Sequence, residues 1–202
     1  IDKDQIYICV DIEADGCVPG IYSMLSIAAV ATDTKKDISE FYQAILPCKE
    51  AKQDPDTMQW WSRHPEAWDE VNTNPQPPKK VMKDFVAWVK SLGSTPVFVA
   101  HPIALDYTFV SWYLQKYAGE DPFRNENNAS RTLDLRSFIS GKFGVTVTQA
   151  HRQNLPPELP KGMPSQSHKA IDDARGYTVI LRNILAAKGD YLGCAWPIGR
   201  ES

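Results

Sequence analysis

The chain has 202 residues, of which 43% are hydrophobic, and it carries 22 Lys and Arg against 25 Asp and Glu. This length and composition suit one well-packed domain over residues 1–202 and are short for two. The formal net charge of −3 excludes a broad basic surface that would capture duplex nucleic acid from a distance.

Apolar periodicity predicts an alternation of strands and helices along the chain. The sequence predicts strands at 5–13, 24–32 and 38–46, a helical stretch at 55–70, a helix at 79–92, a strand at 96–100, a helix at 105–118, a short strand and helix within 131–141, and a final helix at 168–188. Three strands followed by alternating helices and strands are typical of the α/β class.

The first strand places acidic residues where apolar ones are expected. Asp11 and Glu13 alternate with the apolar side chains of the opposite face, so both carboxylates point to one side of the strand. Carboxylates about 7 Å apart repel each other but are well spaced to bind one divalent cation, or two cations that share a ligand. The alternative is an edge strand with a solvated face, although Tyr7 and Cys9 are not typical of such a face.

Two helices carry acids in similar positions. Asp106 begins the apolar stripe of the helix at 105–118, where the alternative is an N-terminal acid that complements the helix dipole. In the final helix Asp173 lies on the apolar stripe, whereas Asp172 lies on the polar side, where a solvated or i, i+3 ion-paired role is expected. His168 precedes this helix in a segment rich in Ser, Pro and Gly, which predicts a mobile loop. Acids on core-facing stripes with a His nearby indicate bound metal ions.

These motifs resemble the DnaQ-like 3′–5′ exonucleases of the DEDDh type, in the ribonuclease H-like superfamily, from Ile6 to about Leu185. VDIEADG is similar to the first family motif, Asp-x-Glu following a strand. HKAIDDA is similar to the third motif, in which the fourth acid follows the His by five residues. This spacing selects Asp173 over Asp172 independently of the helical phase.

The chain departs from the family pattern in two places. Pro102 and Leu105 replace the Asn and Phe that members often carry in the second motif, ahead of Asp106. Ser26 stands in a strand that carries a Glu at this point in many relatives. Neither departure removes a residue that the chemistry requires.

The resemblance implies a ribonuclease H-like mixed β-sheet flanked by helices, and an enzyme that trims a free 3′ end and releases nucleoside 5′-monophosphates. Attack of an anionic nucleophile on an anionic phosphate calls for two divalent ions about 3.5–4 Å apart, and oxygen-only ligands suit Mg²⁺ or Mn²⁺. Asp11 is the candidate bridge between the ions. Glu13 and Asp173 are expected to complete one site, and Asp106 to help hold the second ion.

His168 is the candidate general base, because an imidazole can accept a proton from the attacking water near neutral pH. The alternative, that His168 is itself a metal ligand, fits less well, since the other ligands would all be hard oxygens. A place on a mobile loop also suggests that the His swings in when a nucleic-acid end binds.

The expected substrate is the 3′ end of a single-stranded nucleic acid, with DNA and RNA both open. Candidate substrate contacts are Ala14, Tyr22, Met24, Leu25 and Phe109. For each aromatic or apolar member of this set, packing in the core is the alternative. Candidates to line a basic side of the groove, with solvated surface charge as the alternative, are Arg131, Arg136, Lys142, Arg152, Lys161 and Lys169.

Two segments stand apart from the expected scaffold. Trp60 and Trp61 are adjacent and cannot both face one core from a single short helix, so one of them is a candidate contact for a partner, a homodimer interface or a base. Ordinary packing is the alternative. The Pro-rich segment 145–167 before His168 predicts a long irregular loop that is functional or mobile.

The cysteine pattern and the start of the chain bear on location. Cys9, Cys17, Cys48 and Cys194 show no CxxC or metal-ligand spacing, which predicts reduced thiols in a cytoplasmic protein. The charged start IDKDQIYICV does not resemble a signal peptide, and no apolar run is long enough to span a membrane.

Two rival functions stay open. One is a non-catalytic nucleic-acid-binding or scaffold protein, and the other is an endonuclease or another phosphodiesterase on the same fold. Loss of activity normally shows as the loss of an acid or of the His, and the motifs retain all of these residues.

Overall fold

A computed structural model of the chain describes residues 4–164 and 167–187. It contains a five-stranded mixed sheet in the order β3-β2-β1-β4-β5. The strands are β1 (Gln5–Ala14), β2 (Met24–Thr32), β3 (Asp37–Ala44), β4 (Thr95–Ala100) and β5 (Thr132–Asp134). β1 pairs with β2 in the antiparallel sense and with β4 in the parallel sense, so β1 is the central strand.

Helices cover both faces of this sheet. They are α1 (Pro55–Trp61), α2 (Pro65–Val71), α3 (Pro78–Ser91), α4 (Ile103–Tyr113), α5 (Leu135–Phe143) and α6 (Ala170–Ala186). α4 continues into a π-helical turn at Leu114–Ala118, and a short 3₁₀ turn lies at Arg152–Asn154. The predicted α/β class, with a mixed sheet flanked by helices, is confirmed.

The two faces of β1 enter two different cores. Ile8 and Val10 pack with residues of α3 and α4, whereas Cys9 packs with residues of α5 and α6. Because both faces are covered by helices, the alternative of an edge strand with a solvated face is wrong. Tyr7 also packs, partly buried, against the second core.

The helical stretch predicted at 55–70 is two helices. α1 begins after Asp54, whose carboxylate accepts a hydrogen bond from the Thr57 backbone N–H at 2.9 Å. The break falls before Pro65, the first residue of α2, because a residue preceding proline is disfavoured in the helical conformation. His64 accordingly has φ −128° and ψ 62° and is the N-cap of α2.

The other predicted elements agree with the structure to within a few residues. α3 begins at Pro78 and is followed by Gly93 with φ 68°, as its start and stop signals predict. Residue 188, the predicted end of the final helix, lies outside the described residues, as does Cys194. The cysteines within the described part, Cys9, Cys17 and Cys48, are free thiols.

The segment predicted as an irregular loop is described from 145 to 164. This part of it packs against the core of the protein. Ala150, Leu155 and Leu159 are buried in the core that α5 and α6 share. Its 3₁₀ turn therefore has a defined position beside α6. Within the described ranges, no helix is both long and apolar enough to cross a membrane.

Candidate active site

The end of β1 brings two acids to the centre of the molecule. Asp11 is 8% exposed and Glu13 is half-buried. Their partners on β2 are small, because Asp11 lies opposite Ala28 and Glu13 opposite Ser26. The register shifts between Glu13 and Ala14, so the regular pairing with β2 is interrupted just past the acids.

Small residues also bring α6 close to the sheet. Ala170 and Ala174 of α6 pack on Ala28 and Val30 of β2. Because none of the alanines extends beyond Cβ, the helix backbone approaches the strands closely. This contact places Asp173, one residue before Ala174, beside the acids of β1.

Asp106 reaches the same place from the first turn of α4. It is 4% exposed, and its Oδ1 accepts a hydrogen bond from the Ile12 backbone N–H at 3.2 Å. Leu105, its neighbour in the second motif, is 40% exposed. The preceding His101–Pro102 peptide bond is cis.

These four carboxylates form one electrostatic unit, called here the acid cluster and made of Asp11, Glu13, Asp106 and Asp173. Burial raises the pKa of Asp11 well above its usual range, and the negative charges of Asp106, Glu13 and Asp173 raise it further. Burial, followed by the charges of Asp173 and Asp106, likewise raises the pKa of Glu13. Burial raises the pKa of Asp106 to about 7. Buried like charges of this kind take up protons or bind cations.

Two further residues touch the acid cluster. Arg152, in the 3₁₀ turn, donates from Nη1 to Asp173 Oδ1 in an ion pair. Tyr177 donates from its hydroxyl to Asp11 Oδ1 at 2.8 Å. The sequence names Arg152 only as one of several basic groove residues, and it assigns Tyr177 no role at the site. Neither contact has a sequence signal, because the partners are far apart in the chain.

The helical phase of α6 is borne out by the neighbouring acid. Asp172 pairs with Arg175 Nη1 at 3.1 Å, which is the ion-paired one of its two expected roles, and accepts a hydrogen bond from Ser167 Oγ at 2.7 Å. It therefore belongs to the outer face of the helix, while Asp173 faces the acids of β1.

His168 lies just before α6 and packs against the corner between α1 and α2. Its ring centroid is 4.7 Å from that of His64 and 5.3 Å from that of Trp60. Trp60, His64 and His168 are called here the ring cluster. The backbone of His168 has φ 55°, a conformation that non-glycine residues seldom adopt. The next residue, Lys169, pairs with Glu70 of α2 at 3.3 Å.

A cavity of about 220 Å³ opens beside Glu13 of the acid cluster and Trp60 of the ring cluster. Its wall includes Glu13, Ala14, Trp60 and Leu105. Trp61 Nε1 donates to the Ala14 carbonyl at 3.0 Å, which fixes the backbone beside the cavity.

The five residues predicted from sequence to contact substrate separate into two groups. Ala14 lines the cavity, and Tyr22 is half-buried beside it, with its ring occupying the space that a side chain at Gly16 would need. Met24 and Phe109 are 0% exposed and Leu25 is 4% exposed. For these three the structure shows the alternative, packing in the core.

The adjacent residues Trp60 and Trp61 also differ in their burial. Trp61 is 2% exposed and packs with Leu25 and Val71. Trp60 is half-buried, lines the cavity and stacks on His64. Trp61 also contributes to the cavity wall. The sequence therefore correctly required different environments for the two rings, but only the structure shows which ring is fully buried.

The donor set of the acid cluster fits hard divalent cations, because it offers carboxylate oxygens alone. In their present orientations, however, the described His, Cys, Asp and Glu side chains include no group of three or more arranged to hold a metal ion. Arg152 engages Asp173, Tyr177 engages Asp11, and the Ile12 N–H engages Asp106. Metal binding would therefore require at least some of these carboxylates to turn.

Comparison with known proteins shows the family. The family model described as the 3′-5′ exoribonuclease Rv2179c-like domain matches residues 6–185, and the chain belongs to this family. The chain is also 29% identical over 191 residues to the 3′-5′ DNA exonuclease Cap18 of Escherichia coli. This alignment covers 89% of this chain and 91% of Cap18. The chain is a 3′–5′ exonuclease.

Solved structures show the same fold. The nuclease domain of 3′hExo, a DEDDh family member bound to rAMP, superposes with a TM-score of 0.67 at 15% identity, covering 100% of this chain and 98% of that chain. E. coli Exonuclease I in complex with a dA16 oligonucleotide gives a TM-score of 0.59 at 15% identity, covering 89% of this chain and 40% of that chain. The expected likeness to DEDDh exonucleases is thus confirmed, and that family generally depends on divalent metal ions.

Proposed function

We propose that the chain removes nucleoside 5′-monophosphates from the 3′ end of a single-stranded nucleic acid, using two divalent cations held by the acid cluster. The observation that supports this most directly is the convergence of four carboxylates from β1, α4 and α6 in one buried place. So many buried acids destabilise the fold unless protons or cations neutralise them.

The acids have distinguishable roles in this proposal. Asp11 would be a ligand common to both ions, because the charges of all three other acids act on it. Glu13 and Asp173 would hold one ion, and Asp106 would help to hold the other. Mg²⁺ or Mn²⁺ in these positions would stabilise the charge on the attacking and leaving oxygens.

His168 accepts the proton of the attacking water. An imidazole suits this role at neutral pH, and its position immediately before α6 places it on the segment that leads to Asp173. General-base catalysis of this kind contributes typically about 10²–10⁴-fold to the rate.

The cavity beside Glu13 takes the terminal nucleotide. Ala14 is small enough to let a sugar approach the backbone, and Trp60 and Leu105 offer apolar surface to a base. Stacking of a base on an aromatic ring contributes about 1–3 kcal/mol without regard to sequence. Tyr22 borders this region, whereas Met24, Leu25 and Phe109 support it from the core.

The proposal includes both DNA and RNA as substrates, because the relatives differ in this respect. The matching family is described as exoribonucleases, whereas the E. coli relative is a DNA exonuclease. A cytoplasmic location and a homodimer stay predictions from the sequence.

The test is to incubate the protein with 5′-labelled single-stranded DNA, single-stranded RNA of the same sequence, and duplex, in Mg²⁺ and in EDTA. We expect a ladder of 3′-shortened single strands and free 5′-monophosphates in Mg²⁺ alone. His168→Ala should lose most of this activity. Internal cleavage, or undiminished trimming by His168→Ala, would contradict the proposal.

A further inference from the structure

The ring cluster joins His168 to the corner between α1 and α2, which carries no member of the acid cluster. The rings of Trp60 and His64 are stacked, with centroids 3.9 Å apart and planes 22° apart. His168 meets both rings edge to face, at 67° to His64 and 84° to Trp60. His168 therefore rests on a preformed pair of rings.

The position of His64 is set by its own neighbours. Its Nδ1 donates to the Trp60 carbonyl at 2.9 Å, and its backbone N–H donates to the Trp61 carbonyl at 2.9 Å. His64 is also the N-cap of α2, yet its side chain makes no capping hydrogen bond. Ser, Thr, Asp and Asn are the residues that cap helices well, so a His here forgoes that stabilisation. The imidazole contacts Trp60 and His168 instead.

The backbone around His168 needs such support. Its positive φ persists in a folded protein only when surrounding contacts hold it. Those contacts come from both sides: Ser167 Oγ donates to Asp172, and Lys169 pairs with Glu70 of α2. With both neighbours tied, the side chain of His168 is directed toward the α1–α2 corner, where His64 meets it.

We infer that His64 is a positioning residue for His168. This inference rests on the proposed function, in which His168 is the proton acceptor. His64 fixes the position of the His168 ring. Trp60 stacks on His64 and also lines the nucleotide cavity. Because Trp60 belongs to both the cavity and the ring cluster, His64 is the cleaner residue to change.

The first experiment separates kcat from KM. His64→Ala removes the ring, and His64→Phe keeps a flat ring without the imidazole nitrogens. We expect His64→Ala to lower kcat by about tenfold or more with KM within about twofold, because a small misplacement of a catalytic group is costly. His64→Phe should recover most of kcat. The matched control is Ser62→Ala, two residues away, whose hydroxyl donates to the Gln59 carbonyl.

The second readout does not depend on activity. The ring currents of Trp60 and His64 change the NMR chemical shifts of the His168 imidazole protons. These shifts therefore report the position of the His168 ring in the ring cluster. The His168 signal is assigned by its absence in His168→Ala. We expect it to move in His64→Ala, to move less in His64→Phe, and to stay in place in Ser62→Ala.

Several outcomes would overturn the inference. One is a His64→Ala variant with unchanged kcat and an unchanged His168 signal, and another is a change confined to KM. Should His64→Ala fail to fold, His64→Phe decides instead. Most of kcat retained with a slightly moved His168 signal supports the inference, whereas a low kcat with an unmoved signal overturns it, because His64 would then affect activity without positioning His168. If the wild type shows no 3′ trimming, the proposed function fails, whereas the NMR readout still decides whether His64 holds His168.

Discussion

The acid cluster and the ring cluster are built in opposite ways. The acids lie on β1, α4 and α6, whose positions are fixed by two hydrophobic cores. His168 lies on irregular backbone and is located by side-chain contacts to the α1–α2 corner. Residues on regular, buried elements move little, and residues on loops can adjust. The groups proposed to hold cations thus have a rigid base, while the proposed proton acceptor has an adjustable one.

The largest expected effect comes from breaking the acid cluster at its centre. Asp11→Asn removes the charge that faces all three other acids but keeps an oxygen for the Tyr177 hydroxyl. We expect exonuclease activity to fall by at least about a thousandfold, because the bridging carboxylate is lost. The melting temperature of the metal-free protein should be unchanged or higher, since like-charge repulsion within the acid cluster decreases.

Labelled single strands and a thermal melt measure these two effects. The His168 NMR signal should stay in place, which would show that the ring cluster does not depend on the acids. A variant that retains a tenth or more of the activity would argue against Asp11 as the bridge.

The acid cluster should also make the stability of the metal-free protein depend on pH. Burial raises the pKa of Asp106 to about 7 in the folded protein, whereas an unfolded Asp titrates at about 3.9. The folded state therefore binds more protons between these values. Stability from this group is fully present below about pH 3.9 and is lost as the pH rises toward 7.

Melting the metal-free protein in EDTA from pH 5 to pH 8 measures this loss. We expect the melting temperature to fall across that range, and Asp106→Asn, which still accepts from the Ile12 N–H, to reduce the slope. Added Mn²⁺ should restore stability most at the high-pH end. A melting temperature that rises from pH 5 to pH 8 in both proteins would contradict the raised pKa.

Arg152 offers a smaller test of how the acid cluster accepts cations. Its guanidinium pairs with Asp173 and so competes with any metal ion for that carboxylate. We expect Arg152→Gln to bind Mn²⁺ about tenfold more tightly in calorimetry, because a hydrogen bond to a charged group contributes about 1.5 kcal/mol or more. Arg136→Gln is the matched control, since Arg136 donates to the Val147 carbonyl instead. Weaker Mn²⁺ binding by Arg152→Gln would mean that the arginine supports the site.

The smallest effect is expected at the acid that the helical phase excludes from the cluster. Asp172 forms a partly exposed ion pair with Arg175, and such pairs contribute about 0–1 kcal/mol. Asp172→Asn, which keeps an oxygen to accept from the Ser167 hydroxyl, should therefore leave exonuclease activity within about twofold and lower stability only slightly. Asp173→Asn, one residue away, should lose nearly all activity. Equal losses of activity in the two variants would contradict the prediction that Asp173, and not Asp172, belongs to the acid cluster.

Local periodicity was enough to predict much of the acid cluster. The alternation of β1 put Asp11 and Glu13 on one face, and the phase of α6 separated Asp173 from Asp172. These predictions work because the repeat of a strand or helix fixes which side of an element a residue faces. The same logic could not tell a side chain facing a cavity from one facing the core, and so Phe109 and Met24 were proposed as substrate contacts although they are buried.

Only the tertiary structure decided which distant groups meet. Arg152 and Asp173 are separated by 21 positions, and Tyr177 and Asp11 by 166. The contact of His168 with His64 and Trp60 depends likewise on the corner that Pro65 makes between α1 and α2. The sequence by itself determined the chemistry-bearing residues and their faces, because those follow from local geometry. The packing of layers decided their partners, because it joins segments that no local repeat connects.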